Sequence, residues 1–67
     1  MIRTPDEKNR DFWTLKAMAK YGGGFVKQLA MAGMQADDNN IRRIQNAWPE
    51  YWAEYEDIGK KLEAHDL

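Results

Sequence analysis

The groups that could do chemistry are few in this chain, and their spacing argues against most of it. There is no cysteine and no serine in the 67 residues, so a thiolate nucleophile, a disulfide and a cysteine-bound metal are all excluded. His65 is the one histidine. It stands two residues from the end of the sequence with no serine or cysteine to activate, so it reads as a solvated group that suits the C-terminal end of a helix. Glu50, Glu54 and Asp57 gather at helical spacing with Lys61. Two carboxylates within reach of each other can serve acid–base catalysis, but a helix whose other side is apolar turns them to water. An acidic stripe of this kind can also imitate nucleic acid before a basic protein. We expect no catalytic residue, no metal and no cofactor.

Two further stretches resemble ligand loops in composition only. "DDNN" at 37–40 lacks the glycine and glutamate that a calcium loop needs at its sixth and twelfth positions; counted from Asp37 these are Arg42 and Trp48. It reads as a helix cap. "YGGGF" at 21–25 lacks the Lys-Ser/Thr of a phosphate loop and reads as a tight interhelical turn. Free amides at the start of the next helix, with Lys27 nearby, could still hold an anion.

These groups are carried by helices. "TPDE" is a helix start: Thr4 can cap, Pro5 suits the first position, and Glu7 can close a capping box. A first helix runs to about Tyr21, where glycines stop it by tolerating a left-handed conformation. A second spans about Gly24 to Ala36. A short third follows Asp37 or Asp38, and Pro49 ends it by pushing Trp48 out of the α region. A fourth runs from Pro49 to roughly Ala64. With no period-two pattern, the reading is all-α: one domain over residues 1–67, a compact three- or four-helix bundle with a proline-induced break between the last two helices.

Apolar periodicity assigns a core face to each helix. These faces are Phe12, Leu15, Met18 and Ala19 on the first and Phe25, Leu29, Ala32 and Ala36 on the second. Ile41, Ile44 and Trp48 follow on the third, and Tyr51, Tyr55, Ile58 and Leu62 on the fourth. A chain this short buries only about 60% of its unfolded surface, so most rings belong to the core. Some apolar residues exceed one face. Trp13, Ala17 and Tyr21 make a second stripe on helix 1, Met31 and Met34 lie beside Lys27 and away from Phe25, and Trp52 sits beside Gly59 at the flank of helix 4. We therefore expect Trp13, Lys16, Lys20, Met31, Met34 and Trp52 to form a partner-binding surface. Wide burial by the other helices is the competing account of the same residues.

Charge is uneven. Residues 1–28 carry six cations against three anions, a net of +3, and residues 29–67 carry four against eight, a net of −4. Such polarity steers a charged partner, or else draws the helices together. Trp13, Lys16 and Lys20 share one side of helix 1, where a ring among cations could grip single-stranded nucleic acid. The overall charge of −1 and the acidic second half weigh against that. No apolar run approaches the roughly 20 residues of a membrane span and no signal-like segment opens the chain, so the cytoplasm is the expected location and no membrane partner is expected.

The segment "YGGGFVKQLAMAGMQADDNNIRRIQNAWPEYWAEY", residues 21–55, resembles a group of small uncharacterised proteins encoded by phages and prophages. The shared features are Tyr21-Gly22-Gly23, Phe25-Val26 with Leu29-Ala30, Ala36-Asp37 with Asn40, and Trp48-Pro49-Glu50-Tyr51 ahead of Tyr55. Trp48 stands where phenylalanine is the expected residue, and the glycine run has one member more. The resemblance implies a mobile-element setting, in which small proteins bind host or phage machinery. The expected function is accordingly non-catalytic binding of a protein partner, with inhibition of a host enzyme or defence complex as the sharpest version. Nucleic-acid binding, a structural or assembly role, and a homodimer stay open beside it.

Overall fold

The computed structural model describes Thr4 to Asp66, apart from the side chain of Asp66; Arg3, counted above among the cations, lies outside the described residues. Four helices follow in order, α1 Pro5–Tyr21, α2 Gly24–Met34, α3 Asp38–Ala47 and α4 Pro49–Asp66, with no strand among the described residues. The all-α expectation therefore holds, in its four-helix form. The shortest dimension is 19 Å, the width of two helices of roughly 10 Å each. Helix α1 is the centrepiece and packs against both α2 and α4, while α3 bridges them more lightly.

Local chemistry sets the ends. Thr4 Oγ1 accepts from the Glu7 N–H at 3.2 Å, with Pro5 at the first helical position. Asp37 accepts from the Asn40 N–H at 2.9 Å and caps α3. Trp48, at φ −132° and ψ 62°, is the break before Pro49. The glycine stop works differently from the expectation. Gly22 is extended, at φ −74° and ψ 158°, and no glycine has a positive φ. What Gly22 supplies is room, since a Cβ there would lie 2.5 Å from the Met18 carbonyl oxygen and collide with Val26.

The same effect sets the buried faces, and it rotates two of them from where apolar periodicity puts them. On α2 the buried residues are Val26, Ala30 and Gly33, while Phe25 is 56% exposed and Ala32 faces solvent. Gly33 is the reason: a Cβ on it would come within 2.5 Å of Leu15 Cδ2, so α1 and α2 approach where the side chains are smallest. On α4 the buried line is Trp52, Tyr55 and Gly59, at i, i+3 and i+7. Helix α4 meets α1 backbone to backbone at Gly59, beside Trp13 and Thr14. Trp52 lies two turns from that contact on the same side, so it is 7% exposed and belongs to the core. Its assignment as a ring free for a partner is corrected on that ground. Trp48 and Tyr51, expected inside, are 37% and 39% exposed: Trp48 is at the break before Pro49, and Tyr51 lies about 100° round α4 from buried Trp52.

Helix α1 serves two neighbours and so buries more than one stripe. Asp11, Thr14, Leu15, Ala17 and Met18 are all buried. Thr14 meets its hydroxyl requirement by donating to the Arg10 carbonyl at 2.8 Å, and Asp11 accepts from Gln45 Nε2 at 3.2 Å, which ties α1 to α3. Ala17, from the stripe expected to face away, is fully buried.

Candidate functional site

With the core accounted for, an apolar surface remains along the outer side of α1 and α2. Phe12 on α1 is 54% exposed, and Met31 and Met34 on α2 are 58% and 51% exposed. Phe12 and Met34 flank one shallow groove whose other lining includes Leu15, Gly33, Ala36 and Ile41. Met31 and Met34 are one turn apart on α2, in line with Lys27 four residues before Met31. Phe12 was expected inside. The close approach at Gly33 draws Leu15 into the contact instead, and Phe12, about 60° round α1 from Leu15 at 100° per residue, is left at the edge.

Trp13 adjoins this surface. Its ring meets that of Phe12 edge to face, with centroids 5.4 Å apart and planes at 83°. The Lys16 ammonium lies over both rings, 4.7 Å from the Trp13 centroid and 5.9 Å from that of Phe12. Lys20 instead covers Tyr21 at 5.5 Å. Of the six residues expected at a partner surface, Trp13 and Lys16 are thus in one cluster that Phe12 joins to Met34, and Met31 extends it along α2. Lys20 is exposed one turn further along α1, and Trp52 is in the core. A base stacking on Trp13 would have to share the ring with the Lys16 ammonium.

A second group of rings escaped the sequence reading. Phe25 meets Trp48 at 5.6 Å and Tyr51 at 6.2 Å between centroids, joining the start of α2 to the corner between α3 and α4. Each of these rings spends part of its surface on the others, which suits closing that corner of the fold. A signal was present: Trp48 precedes proline, and the face it would share with α4 cannot continue through that break.

Nothing among the described residues gathers into a metal-binding group of three or more histidines or carboxylates. Glu50, Glu54 and Asp57 are exposed on α4, with Asp57 paired to Lys61 at 3.8 Å on the surface. His65 is also exposed. No helix is long and apolar enough to cross a membrane, among the described residues. Comparison of the chain with known protein families, with curated proteins and with solved structures finds no match.

Proposed function

We propose that this chain is a small non-catalytic protein that works in the cytoplasm by binding another protein, through the outer surface of α1 and α2. One observation carries the reading: Phe12 and Met34, each more than half exposed, flank one groove, and Met31, also more than half exposed, lies one turn from Met34. Clustered apolar exposure of this kind marks contact surfaces, and methionines suit them because an unbranched thioether adapts to a partner's shape. The resemblance to small phage and prophage proteins adds a setting, in which the partner is a host enzyme or a defence complex and binding inhibits it.

Photo-cross-linking tests this in cells that naturally carry the protein. A benzophenone side chain placed at Met34 should give a discrete protein adduct, and the same group at Asp57, on the exposed side of α4, should not. Adducts to nucleic acid alone, or none from position 12, 31 or 34, would remove the reading.

A further inference from the structure

Resting on that protein-binding reading, we infer that the occupant of the α1–α2 groove is an amphipathic α-helix whose apolar ridge is flanked by acidic residues. The charge of the two helices carries the inference. From Lys8 to Gln35 the sequence has five cations, Lys8, Arg10, Lys16, Lys20 and Lys27, and a single acidic residue, Asp11. Asp11 also lines the groove, but it is 7% exposed and engaged by Gln45, so among the exposed residues of α1 beyond its first turn, and of α2, every charged side chain is a cation. Lys8 lines the groove itself, and Lys16 stands over Phe12. A partner that fills the apolar strip meets lysines on its borders, and complementary charge must be acidic.

The shape selects a helix. The groove lies between Lys8–Leu15 of α1 and the last turn of α2 and continues past Ala36 to Ile41 of α3; exposed Phe12 and Met34 stand at its sides, and buried Leu15 and Gly33 lie between them. A ridge of side chains at i, i+3 or i+4, and i+7 fits such a trough. A flat anionic membrane would meet the walls and leave the floor empty. A nucleic acid would bring phosphates to the lysines and nothing to the methionines. A second copy of this chain offers acid on α4, at Glu50, Glu54 and Asp57, but the apolar side of α4 is already spent on its own core at Trp52 and Tyr55.

The methionines supply the test. With the full chain carrying 13C-labelled methionine methyl groups, Met34 reports on the groove and Met31 on the exposed surface of α2 one turn away, while fully buried Met18 reports on the core. The probes are a synthetic helical peptide with a leucine and phenylalanine ridge flanked by glutamates, the same ridge flanked by lysines, vesicles containing phosphatidylserine, and a single-stranded oligonucleotide. The glutamate peptide should shift Met31 and Met34 but not Met18. It should bind at least about tenfold more tightly than the lysine peptide, weaken as salt rises, and lose its advantage in a K8E/K16E variant. Equal binding of both peptides, no shift with either, a response to vesicles or oligonucleotide alone, or methyl shifts that follow protein concentration without any probe would overturn the inference. A protein adduct at Met34 in cells alongside any of those results would leave the protein-binding reading standing with a different occupant.

Discussion

Gly59 lies directly against the backbone of Trp13: a Cβ built on it would stand 2.8 Å from both the carbonyl carbon and the carbonyl oxygen of Trp13, and 3.0 Å from the Thr14 nitrogen. Backbone atoms cannot swing aside as a side-chain end can, so the contact fixes how closely α4 approaches α1. Gly59→Ala is therefore expected to destabilise the fold by about 1–3 kcal/mol through overpacking, although alanine in a helix interior ordinarily gains about 1 kcal/mol over glycine. Denaturant unfolding measures the difference, and a more stable alanine variant would show that the two helices do not meet there.

The two tryptophans around Pro49 have opposite jobs. Trp52 is in the core cluster with Tyr55 and Met18, whereas Trp48 is over a third exposed and leans on Phe25. Trp52→Ala should cost about 3–5 kcal/mol, close to all the stability so small a domain has. Trp48→Ala should cost less than half of that. Thermal melts of the two variants give the order directly, and the reverse order would mean that α4 presents its other side to the core.

Helix caps give a smaller and more local effect. Asp37 supplies the oxygen that accepts from the Asn40 N–H at 2.9 Å. Asp37→Ala should cost about 1 kcal/mol, and Asp37→Asn, which keeps an acceptor in place, a few tenths. Equal losses in urea titrations of both variants would show that the charge at the start of α3, rather than the bond, is what matters.

The contrast between caps and faces also explains what could be read from the sequence. Thr4-Pro5, Asp37 and Trp48-Pro49 act on their immediate neighbours, so helix number, order and most boundaries follow from short stretches. Which side of each helix turns inward depends on pairs far apart in sequence, Gly33 with Leu15 and Gly59 with Trp13. Apolar periodicity gives weight to large side chains, whereas these contacts are decided by the absence of one. For that reason periodicity puts Phe12 and Phe25 in the core and Trp52 at the surface; it puts Trp48 in the core as well, although the proline after it marks the break. The exposure of Met31 and Met34 was legible because Lys27 marks their side of α2 as wet. Phe12, which joins Trp13 to the Met34 groove, was not, because its exposure depends on where Leu15 goes.

The central claim is that Phe12, Met31 and Met34 serve a partner and not the fold, and one paired measurement bears on it most directly. Adduct formation from a benzophenone at Met31 is compared with and without Phe12→Ala, and the unfolding free energy of each protein is measured alongside. We expect Phe12→Ala to cost about 1 kcal/mol or less in stability, as a surface change does, while the adduct falls at least about tenfold, as loss of an aromatic anchor at a contact does. An undiminished adduct, or a loss of stability as large as that of Trp52→Ala, would contradict the claim.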